Sequence, residues 1–190
     1  MVILASASPR RRELLRQICP EFRVRPSDVN ERLAPGPLPD AVMALAEAKA
    51  RAVAAAAGAG IVLGADTIVV LDGEALGKPA TAAEARVMLR RLAGREHQVI
   101  TGVAVVDAAT GRSQTVAVRT RVRMHAYDDA TIDAYVATGE PMDKAGAYAI
   151  QEGGARLVAG YDGSYTNVVG LPLEETGRLL DLFGVPARPG

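Results

Sequence analysis

The chain has 190 residues, 22 basic against 22 acidic side chains, zero formal net charge and 49% apolar content. That length can bury a real core without disulfides or structural metal, and the composition is too apolar for disorder. Zero net charge gives no bulk attraction to nucleic acid or an anionic membrane.

The single Cys19 excludes an intramolecular disulfide and a cysteine-rich zinc site, and reads as a small apolar filler on a helix. His97 and His125, without an HExxH motif, argue against a histidine zinc site. No apolar run reaches the roughly 20 residues that span a bilayer. The start, MVILASASPRRRELL, lacks signal-peptide order, because its basic cluster follows a short apolar stretch. The expectation is one cytoplasmic domain over residues 1–190.

Residues 2–5 form a short apolar run suited to a buried strand. Ser8 as N-cap, Pro9 at the first helical position, and Leu14, Leu15 and Ile18 at helical spacing predict a helix. Phe22–Val24 reads as a second strand, and residues 26–39 as a long loop. Residues 40–57 are strong helix formers ended by Gly58 and Gly60. Ile61–Leu71 is β-branched and apolar with one charge in the middle, a buried strand turned back at Asp72-Gly73. Residues 81–92 open on a capping-box pattern, Thr81 with Glu84. Residues 97–106 and 115–125 read as antiparallel strands joined around Thr110-Gly111. Residues 128–137 form a helix stopped by Gly139 and Pro141. Residues 147–151 read as a strand, 153–166 as a Gly-rich segment, and 172–183 as the last helix. Hairpins alongside helical crossovers predict a mixed rather than a purely parallel sheet.

Four places carry candidate chemistry. The first is Ser6-Ala7-Ser8-Pro9-Arg10-Arg11-Arg12 at a helix start. Free N–H groups, a partial positive charge, hydroxyls and guanidiniums there suit a phosphate. The alternative is a capped surface helix with solvated arginines. No Walker A or GxGxxG fingerprint is present. The second is Asp66, a lone carboxylate in an apolar strand, which needs a pair, hydrogen bonds or a metal to be buried. It could instead sit at a bulge and bond local backbone. Glu31 could join it, because two or three carboxylates plus phosphate oxygens make a magnesium site, or it could simply be solvated.

The third is the lysines. The basic set is 19 Arg and only 3 Lys, at Lys49, Lys78 and Lys144. A compact ammonium fits beside a phosphate or carboxylate where a guanidinium does not, though chance explains three positions equally well. The fourth is the run from Asp143 to Gln151 with Gly153-Gly154. The Gln151 amide can accept from N3–H of uracil or thymine and donate to a ring carbonyl, or it can be an ordinary turn residue. Tyr161 and Tyr165 could approach a ligand or line a loop. His97 reads as structural.

Together these segments resemble the Maf family of nucleoside triphosphate pyrophosphatases, once described as septum-formation inhibitors. The matching stretches are ILASASPRRRELL, residues 28–31, LAEAKA, GADTIVVLDGEALGKP, GREHQVITGVAVV, TGEPMDKAGAYAIQEGGA and GSYTNVVGLPL, in family order over nearly the whole chain. The resemblance implies an α/β fold akin to inosine-triphosphatase-like (Maf/Ham1) proteins, with a mixed, curved central sheet, flanking helices and a deep cleft. It implies hydrolysis of a nucleoside triphosphate to the monophosphate and diphosphate with a divalent cation, Mg²⁺ or Mn²⁺.

By the same resemblance, Asp66 and Lys78 are catalytic, and Glu31 and Asp66 hold the metal. Ser6, Ser8, Arg10, Arg11, Lys49, Thr67, Lys144 and Gln151 bind substrate. Arg10, Thr67 and Gln151 set specificity and resemble the dTTP/UTP group; the 7-methyl-GTP group typically has Trp in place of the first Arg. Asn30-Glu31 departs from the acidic pair common in the family, which leaves Glu31 as the better metal candidate. The family suggests a homodimer. Two alternatives are the same chemistry on modified or purine nucleotides, and a nucleotide-binding division regulator with little turnover.

Overall fold

The computed structural model describes residues 1–187. Its strands are β1 (Val2–Leu4), β2 (Phe22–Val24), β3 (Ile61–Leu71), β4 (Glu74–Leu76), β5 (Glu96–Asp107), β6 (Ser113–Met124) and β7 (Val158–Asp162). They form one sheet in the order β2-β1-β3-β5-β6-β7, with β4 paired to β3. Strand β1 runs parallel to β2 and β3, whereas β3/β4 and β6/β7 are antiparallel, so the sheet is mixed as expected. The helices are α1 (Pro9–Ile18), α2 (Leu38–Ala57), α3 (Ala82–Leu92), α4 (Asp129–Ala137), the short α5 (Tyr165–Val169) and α6 (Leu173–Leu182). No helix among the described residues is long and apolar enough to cross a membrane.

The chain divides into two compact units. Among the described residues the first holds Met1–Asp66, Thr101–Val118 and 170–187; the second holds Thr67–Ile100 and Arg119–Val169. In the first, Ile3, Ala5, Val62, Ala104 and Val106 pack against Ala46, Ala50, Val53 and Ala54 of α2. Alanine on the helix and glycine on the strands let the two layers approach backbone to backbone. A Cβ on Gly64 would lie 2.3 Å from the Ala46 carbonyl oxygen, and one on Gly102 would lie 2.5 Å from that of Val42. Helix α1 begins as its sequence dictates, with Ser8 as N-cap, Pro9 at the first turn, and Leu14, Leu15 and Ile18 buried. Helix α2 starts two residues earlier than expected and stops at Gly58 in the left-handed conformation (φ 70°).

In the second unit, Asp72 (φ 52°) and Gly73 (φ 79°) turn β3 into β4, the positive-φ pair that a two-residue hairpin demands. Thr81 caps α3 by accepting from the Glu84 N–H at 3.2 Å, while the Glu84 carboxylate reaches Ala80 N at 2.8 Å. The core gathers Leu89, Leu92, Ile132, Tyr135, Tyr148 and Leu157.

Two expectations differ. Residues 147–151 form no strand: Tyr148 and Ile150 are buried and Ala149 and Gln151 half-buried, the alternation of extended chain, but no ladder partner exists among the described residues. Short 3₁₀ turns flank this segment at Ala145–Ala147 and Glu152–Leu157. The expected strand is therefore absent for want of a pairing partner among the described residues. The Gly-rich segment 153–166 is more ordered than its composition implies, since it contains β7 and the start of α5.

Candidate active site

Strand β1 delivers the chain through Ser6 to the start of α1. The Ser8 N–H donates to Ser6 Oγ at 3.2 Å, and Ser8 Oγ accepts from the Arg11 N–H at 3.4 Å. Arg11 folds back over this turn, donating from Nη1 to Ser6 Oγ (3.4 Å) and from Nε to the Gly170 carbonyl (2.8 Å). Burial pulls the Arg11 guanidinium below its ordinary pKa, and the negative fields of Asp66 and Glu31 oppose that. Arg11 is thus anchored and shares a field with both carboxylates, whereas Arg12 is exposed and Arg10 half-buried. A fixed guanidinium beside helix N–H groups favours the anion-binding reading over a solvated surface helix.

Asp66 is buried in β3, and Lys49 is buried on α2. Lys49 lies on the same helical face as Val42, Leu45, Ala46 and Val53, the apolar stripe that faces the sheet. Its Nζ donates to Asp66 Oδ1 and to Glu31 Oε1, each at 2.7 Å. The Lys49 side chain is 5% exposed, that of Asp66 12% and that of Glu31 50%. The close approach at Gly64, two residues before Asp66, sets the height of α2 and so the reach of Lys49. A buried ion pair gives little net stability over apolar side chains of the same volume. Its presence here points to chemistry rather than scaffolding.

The remaining candidates lie in the second unit. Thr67 follows Asp66 and is half-buried; Lys78 is exposed just beyond β4. Lys144 is buried and donates to the Glu140 carbonyl (2.6 Å) and to Asp143 Oδ1 (2.9 Å). Gln151 is half-buried at the start of a 3₁₀ turn. Among the described residues no arginine is as buried as Lys49 or Lys144, whereas the third lysine, Lys78, is exposed. His97 is structural, as read. Its Nε2 lies 2.6 Å from Tyr148 Oη, and burial pushes the imidazole down to about 4. Cys19 is buried at the end of α1, its thiol raised by burial and donating to the Glu21 carbonyl at 3.5 Å.

The sequence reading placed Lys49 on substrate and did not foresee the bridge between the carboxylates. Its phase on the α2 stripe was the available signal. Glu31 and Asp66 offer hard carboxylate oxygens, Asp66 buried and Glu31 half exposed, each bonded to Lys49 through one oxygen. No cluster of three or more metal-binding side chains exists among the described residues. Two carboxylates fit a magnesium-type ion that takes its other ligands from phosphate and water.

The family model of the Maf-like proteins matches residues 1–183, and the chain belongs to that family. A relative from Moorella thermoacetica is 54% identical over 97% of this chain and 95% of its own length. One from Pelotomaculum thermopropionicum is 51% identical over 96% of each. One from Symbiobacterium thermophilum is 53% identical over 100% of this chain and 97% of its own. Each is described as a dTTP/UTP pyrophosphatase. The solved Staphylococcus aureus Ham1 protein is a distant likeness, with 15% identity and a TM-score of 0.45 over 65% of this chain and 71% of that one.

Proposed function

We propose that this chain hydrolyses dTTP and UTP to the nucleoside monophosphate and pyrophosphate. The observation that carries the chemistry is the Lys49 ammonium held between Asp66 and Glu31, with Arg11 in the same field. The substrate follows from relatives above 50% identity over nearly their full length.

In this reading the α1 start, Ser6, Ser8 and Arg11 hold the triphosphate. The Asp66 carboxylate, fixed through Oδ1 by Lys49, orients the attacking water and takes its proton. The water oxygen bonds to phosphorus as the P–O bond bridging the α- and β-phosphates breaks, and pyrophosphate leaves with the electron pair. Charge grows on phosphoryl oxygens, and positioned cations stabilise it, where most catalysis of phosphoryl transfer lies. A divalent cation held by Asp66 and Glu31 would lower the cost of that charge as a Lewis acid. Lys78 is assigned to charge neutralisation, and Arg10, Thr67 and Gln151 to base selection, on the family resemblance. Asp66→Asn keeps the size and one acceptor of the side chain but removes the charge. It should reduce pyrophosphate release from dTTP by at least a hundredfold while circular dichroism stays native; near-normal turnover would refute the role of Asp66.

A further inference from the structure

We infer that Tyr135 and Glu140 are positioning residues that hold Gln151 in its base-reading pose and so set the preference for uracil and thymine; this rests on the reading of Gln151 given above. The segment around Gln151 is backbone-strained. Ala147 (φ 62°) and Glu152 (φ 54°) both take left-handed conformations that non-glycine residues avoid. Such strain persists only where the surroundings over-determine it, and it gathers at ligand-facing segments.

Here the surroundings are specific. Tyr135 is fully buried in the second unit's core, and its Oη donates to Glu140 Oε1 at 2.8 Å and accepts from Ala149 N at 3.4 Å. The Glu140 carboxylate then accepts from the backbone on the far side of Gln151, from Gly153 N (to Oε2) and Gly154 N (to Oε1), both at 3.1 Å. One phenol and one carboxylate therefore bracket Gln151 from residue 149 to residue 154. Gly154 has no room for a side chain: a Cβ there would lie 2.2 Å from the Ala149 carbonyl oxygen and 2.7 Å from Tyr135 Oη. Glu140 is itself held, its N–H donating to Thr138 Oγ1 (3.1 Å) and its carbonyl accepting from the buried Lys144 (2.6 Å). This gives Lys144 a place in the same bracket.

UTP and CTP share ribose and triphosphate and differ where Gln151 would read them, at N3 and the 4-substituent. The readout is the ratio of kcat/KM for UTP over CTP. Tyr135→Phe removes one oxygen from a core that otherwise keeps its shape. It should lower the ratio about tenfold, the effect of a misplaced hydrogen-bonding group, mainly through the KM for UTP. Glu140→Gln should do the same, and serves if Tyr135→Phe does not fold. Gln151→Ala should lower the ratio comparably, and adding Tyr135→Phe to it should lower it no further, since both changes act through one contact. A Tyr135→Phe protein with reduced Tm and an unchanged ratio would overturn the inference while leaving Gln151 as reader. An unchanged ratio in Gln151→Ala would overturn the reader itself, and the positioning role with it.

Discussion

Replacing Gly64 by Ala tests whether the height of α2 above β3 controls the ion-paired trio of Lys49, Asp66 and Glu31. The added Cβ would meet the Ala46 carbonyl oxygen at 2.3 Å and the Ala50 nitrogen and Cβ at 3.0 Å. Ordinary contact needs about 1 Å more, and none of the obstructing atoms is a flexible side-chain end, so α2 must lift. Overpacking of this kind costs about 1–3 kcal/mol, equivalent to a Tm loss of roughly 4–8 °C for a cost of about 2 kcal/mol in a chain of this size. Lys49 lies between Ala46 and Ala50, on the turn that would move. Its 2.7 Å bonds to Asp66 and Glu31 would stretch beyond hydrogen-bond range. A misplacement of about 1 Å in reacting groups can cost about a hundredfold in rate.

Steady-state pyrophosphate release from dTTP, alongside a thermal melt, reads both effects. Gly102→Ala is the comparison, because its Cβ would press on Val42, two helical turns before Lys49. It should lose similar stability with a smaller loss of kcat. Normal turnover in Gly64→Ala, or equal loss of kcat in both variants, would refute the link between that contact and the trio.

Other expectations follow from the same geometry. Lys49→Met keeps an unbranched stem, one atom shorter, but leaves the buried Asp66 carboxylate without its ammonium partner. Breaking a buried pair costs about 3–5 kcal/mol, and partial exposure of Glu31 places this case at the lower end, so chemical denaturation should register about 3 kcal/mol; an unchanged midpoint would refute the pairing. His97, held down to about 4 by burial against an ordinary 6.5, stays neutral in the fold while the unfolded chain protonates. Its contribution is complete above pH 6.5 and lost progressively toward pH 4, up to about 3 kcal/mol, so the melting temperature of His97→Phe should depend less on pH over that window than that of the parent. Parallel slopes would show that other groups govern acid stability. Chelation by EDTA should stop pyrophosphate release, and added Mg²⁺ should restore it; undiminished turnover in EDTA would remove the cation from Glu31 and Asp66.

Much of the fold was legible because local rules acted alone. Ser8-Pro9, Asp72-Gly73, Thr81 with Glu84, and Gly58 each sit at an element boundary for the reason their chemistry gives. Residues 147–151 form no strand although burial alternates from Tyr148 to Gln151, because a local pattern says nothing about whether a neighbouring strand is present. The Ala149 N–H is bonded to a tyrosine hydroxyl fourteen residues away in sequence, a partner no local pattern predicts. At the site, Asp66 announced itself as a charge within an apolar strand. Its pairing with Lys49 depended on the phase of α2 and on Gly64, long-range facts that composition cannot carry. Nothing in the local sequence marks Tyr135 or Glu140; only the fold sets them around Gln151.

Incubating the purified chain with Mg²⁺ and a panel of nucleoside triphosphates, with Asp66→Asn alongside, puts the proposed activity to the most direct test. Pyrophosphate and the matching monophosphate should form from dTTP and UTP well ahead of CTP and the purine nucleotides, and the Asp66→Asn protein should form almost none. Binding without turnover, release of orthophosphate instead of pyrophosphate, or equal rates across the panel would contradict the assignment.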